Sequence, residues 1–205
     1  MQYKVISFDL QGTLSDHLFS DEFWIEILPK FYSEKNNISL EQAKKDLHKQ
    51  FKEIGRYDFR YYSVKYWLKK INMIISFKKI IKLTKNKPLF FDDVTELVKD
   101  LSKKVNLVIS SSTTKDFINV ELGVNKKYFK KVFSSLDDFN IPGKPKEFYL
   151  KLAKKLGVKP EEILHVGDDE EMDIKNARLA GLNTFYFDRK LPREELINRL
   201  NKFLR

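Results

Sequence analysis

The chain of 205 residues contains no cysteine and only three histidines. The lack of cysteine excludes disulfide bonds, thiolate catalysis and cysteine-ligated zinc, and three histidines argue against a histidine-rich metal site. Long apolar runs are also missing, because no segment approaches the roughly 18–20 apolar residues that a membrane span requires. The N-terminus does not show the pattern of a secretory signal. We therefore expect a cytoplasmic protein that has no membrane partner.

Acidic residues are the scarcer charged class, with 29 Asp and Glu against 39 Lys and Arg, and they are absent between Phe59 and Phe91. The resulting net charge of +10 suits an anionic ligand. The basic stretch is either a solvated face or a surface that steers a phosphorylated substrate. Its lysines are scattered among aliphatic residues without a nucleic-acid-binding motif. We expect a small phosphorylated compound as the partner rather than nucleic acid, and the sequence predicts no particular oligomeric state.

Five short apolar runs are typical of buried parallel strands, at 4–9, 107–109, 131–134, 163–166 and 183–187. Helical patterns separate the later runs. One is capped by Asp92 or Asp93, and the others span 147–156, 173–180 and 194–204. Strands that alternate with helices predict a doubly wound, Rossmann-like α/β sheet.

One long stretch breaks this alternation. Residues 15–88 show helical patterns throughout, which predicts an inserted domain of about four helices after the first strand. The α/β core would then comprise residues 1–14 and 89–205. An insertion at this point lies above the carboxyl edge of the sheet, where open α/β sheets bind ligands.

Polar clusters follow the predicted strands. The first runs from Asp9 to Leu14, the second is the triple serine at 110–112, the third holds two lysines at 144 and 146, and the fourth is the acidic segment 167–173. The carboxyl ends of parallel strands share one edge, so these loops should converge. Together they offer a carboxylate nucleophile, donors for phosphoryl oxygens, a lysine and an acidic pair for a hard divalent cation. Mg²⁺ prefers such oxygen ligands.

The order and spacing of these four clusters resemble the haloacid dehalogenase-like (HAD) hydrolase superfamily, over the whole chain. The helical insertion after the first cluster resembles the family type that has a helical C1 cap domain. The resemblance implies a Mg²⁺-dependent, metal-binding phosphatase that acts on a small phosphorylated metabolite.

The resemblance also implies a role for each matching residue. Asp9 would be the nucleophile that forms an aspartyl-phosphate. Ser110 would be the phosphate-binding hydroxyl, and Lys144 the active-site lysine, with Lys146 as the alternative. The implied phosphate-binding set is Gly12, Thr13, Ser110, Ser111 and Lys144.

The implied metal site combines Asp9 and Asp168 with the backbone carbonyl of Gln11. Asp173 would complete the site by ligating or bracing the ion, and Asp169 is the alternative.

Gln11 departs from the family pattern, because phosphatases of the family carry a second aspartate there as the general acid and base. An amide can hydrogen-bond but cannot shuttle a proton near pH 7. We therefore expect a weakened phosphatase in which Gln11 takes the catalytic position. Two alternatives are a metal-independent 2-haloacid dehalogenase and a catalytically silent protein that binds a phospho-ligand or a partner.

Overall fold

Five parallel strands form the sheet in this computed structural model, which describes residues 3–204 except the side chain of Arg193. The strands are β1 (Val5–Phe8), β2 (Asn106–Ser111), β3 (Lys131–Ser134), β4 (Ile163–Gly167) and β5 (Asn183–Tyr186). Their order is β3-β2-β1-β4-β5, with β1 in the centre. The doubly wound, Rossmann-like α/β class predicted from the sequence is confirmed. The order reverses beside β1, which is the position where such sheets bind ligands.

The chain divides into two compact units. One ends at Asp16 and resumes at Phe90, and the other is His17–Leu89. The second unit is helical: α1 (Leu18–Asp21), a π-helical segment (Glu22–Ile27), α2 (Leu28–Asn36), α3 (Leu40–Ile54), α4 (Phe59–Tyr62), α5 (Val64–Lys70) and α6 (Phe77–Leu83).

Aromatic side chains pack together inside the helical unit. Trp67 is fully buried, and the Phe51 ring lies 4.4 Å from it, measured between ring centroids. Phe51 also meets Trp24 edge-on at 5.7 Å. These rings connect α3 and α5 to the π-helical segment. Contacts between large aromatic side chains therefore stabilise the packing of these helices.

Helices cover both faces of the sheet in the α/β unit. They are α7 (Asp92–Ser102), α8 (Lys115–Leu122), α9 (Ser135–Phe139), α10 (Lys146–Leu156), α11 (Asn176–Leu179) and α12 (Arg193–Phe203). None of the helices among residues 3–204 is long and apolar enough to cross a membrane.

Alternation along the strands assigns side chains to two separate apolar clusters. Ile6 and Phe8 of β1 belong to the cluster that includes α7 and α12 residues, whereas Val5 belongs to the cluster with Phe148 and Leu152 of α10. Successive side chains of a strand point to opposite faces. Ser7 and the residue that follows the strand, Asp9, therefore fall on the α10 face.

Two helix starts differ from the sequence prediction. The cap residue of α7 is Phe91, and the two aspartates proposed as caps lie in the first turn instead, where their charge favours the helix dipole. The helix predicted from Asp173 begins earlier, as a π-helical segment over Glu170–Lys175. The Asp169 carboxylate accepts hydrogen bonds from the backbone N–H groups of Glu171 and Met172, which starts the helix there.

Two of the three leucines of α10 test which face of the helix packs against the core. Leu152 is fully buried and Leu150 is 43% exposed on the same helix. We expect Leu152→Ala to lower the free energy of unfolding by about 2–5 kcal/mol, because it removes buried methyl groups and leaves a cavity. Leu150→Ala should change it by less than about 0.5 kcal/mol. Urea denaturation of both variants measures the difference, and equal losses would contradict the assigned face.

Candidate active site

The first predicted cluster begins where the central strand ends. β1 pairs with β2 on one side and β4 on the other, and Phe8 is in register with Ile109 and Val166. Asp9, the next residue, therefore stands between the carboxyl ends of two neighbouring strands. Its backbone N–H donates to the carbonyl of Val166 at 2.9 Å, which extends the β4 pairing to the site itself.

Three carboxylates meet at this edge. One oxygen from each of Asp9, Asp168 and Asp173 lies within 4.8 Å of the others. Lys144 adds the opposite charge, with Nζ 2.5 Å from Asp9 Oδ1 and hydrogen-bonded also to Asp173 Oδ1. Lys144 is only 2% exposed, so a charged chain of this kind requires partners. Three carboxylates and one ammonium leave a net charge of about −2, which suits a divalent cation.

The two carboxylates that share Lys144 differ in their acidity. Burial raises the pKa of the Asp9 carboxyl well above its ordinary value, and the charges of Asp173 and Asp168 add to this although Lys144 opposes it. Burial alone would also raise the pKa of Asp173, but attraction by Lys144 and hydrogen bonding from His165 hold it below the ordinary value. Burial works against the Lys144 ammonium, yet the two carboxylates keep its pKa above the ordinary value. Asp173 and Lys144 therefore form the ion pair that resists neutralisation, and Asp9 is the more readily protonated carboxyl.

A chain of hydrogen bonds links the Asp173 carboxylate to side chains of β4, β1 and β2. His165 Nε2 lies 3.0 Å from Asp173 Oδ1, and His165 Nδ1 lies 3.0 Å from Ser7 Oγ. Ser7 Oγ is in turn 2.7 Å from Ser110 Oγ. Burial lowers the pKa of His165, so the ring is neutral at pH 7 and has one donor and one acceptor nitrogen. An ionised Asp173 can only accept, which makes Nε2 the donor and leaves Nδ1 to accept from Ser7.

Tyr149 closes the same network from α10. Its hydroxyl donates to the carbonyl of Met172 at 2.9 Å and lies 3.0 Å from His165 Nε2. Burial, together with the charge of Asp173, raises the pKa of Tyr149, so the phenol stays protonated. The backbone at Met172 and the imidazole are thereby held at fixed positions beside Asp173.

The loop after β1 approaches Asp168 closely. Thr13 Oγ1 donates to Asp168 Oδ1 at 2.8 Å. Gly12 has a φ of 84°, and a Cβ at this position would overlap the Asp168 carboxylate. Glycine is therefore required here both for its backbone conformation and for the space. A second close approach occurs at Gly167, where a Cβ would overlap the Asp173 side chain.

The two candidate phosphate-binding serines are engaged differently. Ser110 is fully buried, and its hydroxyl is bonded to Ser7 as the end of the chain described above. Ser111 is the last residue of β2, and its Oγ accepts a hydrogen bond from the backbone N–H of Thr113 at 3.3 Å. The hydroxyl proton of Ser111 can therefore still be donated to another oxygen.

The alternative candidates for the lysine and for the second acidic residue of the site differ in what they contact. Lys144 contacts the carboxylates, whereas Lys146 is exposed at the start of α10. Asp173 contacts Lys144, whereas Asp169 uses its carboxylate to start the helix that follows. The Asp169 backbone N–H also donates to Asp173 Oδ2 at 3.0 Å.

The Gln11 side chain is half-buried and contacts a residue that the sequence reasoning did not consider. Gln11 Nε2 donates to Glu121 Oε1 at 2.6 Å. Glu121 is 3% exposed and lies on α8, where Phe117, Ile118 and Leu122 are also buried. Acidic residues are rarely buried unless they have a partner, so a single glutamate on an otherwise apolar helix face could have indicated Glu121 from the sequence.

Ser7 and Tyr149 were also missed. Ser7 is a lone polar residue in a strand of apolar ones, two positions before the expected nucleophile, and this periodicity could have indicated it. Tyr149 gave no such signal, because it fits the apolar pattern of α10 and only the fold shows where its hydroxyl lies.

Comparison with known proteins gives the family of the chain. Residues 6–187 match the family model of the haloacid dehalogenase-like hydrolases. The chain belongs to this family. Over 88 residues it is 28% identical to a glyceraldehyde 3-phosphate phosphatase of Methanopyrus kandleri. That segment covers 42% of this chain and 37% of the Methanopyrus protein, so the similarity is local.

Solved structures share the fold over nearly the whole length. A HAD phosphatase from Thermococcus onnurineus has a TM-score of 0.79 at 21% identity, with coverage of 98% of this chain and 97% of that one. The putative HAD-hydrolase YfnB from Bacillus subtilis, bound to magnesium, has a TM-score of 0.64 at 20% identity and coverage of 98% and 100%. A 2-haloacid dehalogenase from Pseudomonas syringae pv. Tomato has a TM-score of 0.65 at 16% identity and coverage of 98% and 99%. At these identities the similarity shows the fold.

The paired lysines at 144 and 146 test the charge balance of the site. Lys144→Met should lower the free energy of unfolding by about 3–5 kcal/mol in metal-free buffer, because it leaves two buried carboxylates without their counter-ion. Lys146→Met, at an exposed position, should leave stability essentially unchanged. Chemical denaturation in the presence of a chelator provides the measurement. If both variants are as stable as the wild type, Lys144 does not compensate the buried charge.

Proposed function

We propose that the protein is a Mg²⁺-dependent phosphatase that hydrolyses a small phosphorylated metabolite through an aspartyl-phosphate on Asp9. The observation that carries this proposal is the clustering of Asp9, Asp168 and Asp173 at the carboxyl edge of the sheet, where Lys144 contacts two of the three. The local similarity to a phosphatase supports a phosphoryl substrate. The retention of Asp168 and Asp173 beside Asp9 favours phosphoryl chemistry with a bound cation over a metal-independent dehalogenase.

The carboxylate set fits Mg²⁺ in chemistry and in charge. Its donors are hard oxygens from Asp9, Asp168 and Asp173, and the backbone carbonyl of Gln11 is the further ligand that we propose. When bound, Mg²⁺ supplies neutralisation of the charge on the phosphoryl oxygens. Asp173 either ligates or braces the ion, and Lys144, His165 and the Asp169 N–H hold it as an anion for this role.

The first chemical step uses Asp9. One carboxylate oxygen attacks phosphorus, the bond from phosphorus to the leaving oxygen breaks, and its electron pair departs with the leaving group. Lys144 lies against Asp9 and neutralises charge at the phosphoryl oxygens. We assign phosphoryl binding to Ser111 and to the loop at Gly12 and Thr13, since the Ser110 hydroxyl is already committed to Ser7.

The second step is hydrolysis of the phospho-enzyme by water. Gln11 cannot take up the proton that an aspartate at this position would accept. General acid and base catalysis is typically worth about 10²–10⁴-fold, so this hydrolysis should be slow. In the first step the missing general acid should favour substrates with good leaving groups. We further propose that the helical unit His17–Leu89 serves as the cap domain and selects the substrate.

The nucleophile is tested with an activated aryl phosphate. Asp9→Asn should reduce turnover in Mg²⁺ by at least about 10³-fold, because the nucleophile is lost. Asp116→Asn is the matched control at an exposed position of α8 and should leave turnover unchanged. Release of the phenol is the readout. Undiminished turnover by Asp9→Asn, or halide release from a 2-haloacid without metal, would contradict the proposal.

Magnesium binding is tested without catalysis. Mg²⁺ at about 100 times its dissociation constant should stabilise the wild type by about 2.7 kcal/mol, seen as a rise in the thermal midpoint. Asp168→Asn should abolish most of this rise, because it removes a half-buried ligand oxygen. Asp188→Asn serves as the control and should retain the wild-type response. An equal rise in the wild type and in Asp168→Asn would exclude Asp168 as a ligand.

A further inference from the structure

Gln11 occupies the position at which the family resemblance implies a proton-transferring aspartate, and its side chain contacts Glu121. Gln11 follows Asp9 by two residues in the loop after β1, and its Nε2 donates to Glu121 Oε1 at 2.6 Å. The second oxygen of Glu121 accepts from Ser15 Oγ at 3.3 Å. The carboxylate of a nearly inaccessible residue thus connects α8 to the loop that carries the nucleophile.

This contact selects one orientation of the amide. A carboxylate can only accept hydrogen bonds, so it binds the NH₂ end of Gln11 and disfavours the flipped amide. The carbonyl oxygen and the nitrogen of an amide diverge from the same carbon. With the nitrogen on Glu121, Gln11 Oε1 is directed away from Glu121. Glu121 is buried whereas Gln11 is half-buried, so part of the Gln11 residue remains open to water while its amide nitrogen is held by Glu121.

An amide oxygen in this position can accept a hydrogen bond from water but cannot remove its proton. In phosphoryl transfer a glutamine can act in this way, by orienting the attacking water. We propose that Glu121 is a positioning residue that holds the Gln11 amide so that its carbonyl oxygen orients the water that hydrolyses the aspartyl-phosphate. This inference rests on the proposed function and concerns its second step alone.

The step is balanced without a further reactant. The water oxygen bonds to phosphorus, the bond between phosphorus and the Asp9 oxygen breaks, and its electron pair returns to the Asp9 carboxylate. Both water protons remain with the inorganic phosphate that forms or pass from it to solvent. Gln11 accepts a hydrogen bond throughout and changes neither its charge nor its protons.

A role in the second step has a distinctive kinetic signature. For a two-step reaction, kcat/KM with an activated aryl phosphate reports formation of the phospho-enzyme, and kcat reports its hydrolysis when hydrolysis is slower. A variant that slows only hydrolysis lowers kcat and KM by the same factor and leaves kcat/KM unchanged. A variant that damages the fold lowers kcat and kcat/KM together, because it reduces the amount of active enzyme.

The experiment measures p-nitrophenyl phosphate hydrolysis in Mg²⁺ by stopped flow and at steady state. Glu121→Ala should lower kcat and KM by about 10–100-fold each, the scale of a misplaced reacting group, with kcat/KM within about twofold of wild type and a burst of nitrophenol equal to the enzyme concentration. Glu121→Gln should retain most of kcat, because its amide oxygen still accepts from Gln11. Asp116→Ala, on the exposed side of the same helix, is the matched control and should match wild type.

Gln11→Ala keeps the inference testable if Glu121→Ala does not fold. It should produce the same signature, and adding Glu121→Ala to it should cause no further loss, since both act through one amide. The inference is overturned if kcat/KM falls with kcat in the Glu121 variants, if their kinetics match wild type, or if Glu121→Gln is as impaired as Glu121→Ala. Failure of the proposed function has a different result: the wild type shows no turnover, or its turnover does not depend on Asp9. That result would overturn the proposed function together with this inference.

Discussion

Lys144 lies between the carboxylates of Asp9 and Asp173, and the arrangement of the site depends on this ion pair. Three carboxylates at the end of a buried sheet would repel one another, and removal from water makes that repulsion stronger. A single ammonium that contacts two of them allows the cluster to form before any cation binds. The pKa of Asp173 lies below its ordinary value in this arrangement, whereas burial keeps the pKa of Asp9 above it. Asp9 is therefore the carboxyl that is protonated more readily.

The hydrogen-bond chain through His165, Ser7 and Ser110 explains why polar residues occur inside otherwise apolar strands. Each group satisfies the next, and the chain ends on the Asp173 carboxylate. Buried polar groups of this kind are costly unless every member has a partner. The partners come from three different strands, so the network also fixes the relative positions of β1, β2 and β4 next to the site.

The chain belongs to the haloacid dehalogenase-like hydrolases, and Gln11 occupies the position where the resemblance to that family implies a second aspartate. The structure gives this departure a context, since the amide is bonded to a buried acid on α8. The Gln11 side chain therefore has a defined hydrogen-bond partner in addition to replacing the expected aspartate. The chemistry that remains possible there is orientation of water rather than proton transfer.

Sequence alone determined the α/β fold, because short apolar runs that alternate with helical patterns are local features that can be recognised without knowledge of contacts. It also indicated that the clusters holding Asp9, Lys144 and the acidic segment 167–173 converge, since parallel strands bring their carboxyl ends to one edge, and the family resemblance implied the role of each residue. Three contacts were decided only by the tertiary structure: that of Lys144, rather than Lys146, with the carboxylates, that of Ser110 with Ser7, and that of Gln11 with Glu121. Residues 11 and 121 are separated by more than half of the chain, and no periodicity relates them. Their meeting depends on how α8 packs against the sheet, which is a property of the folded chain rather than of any local segment.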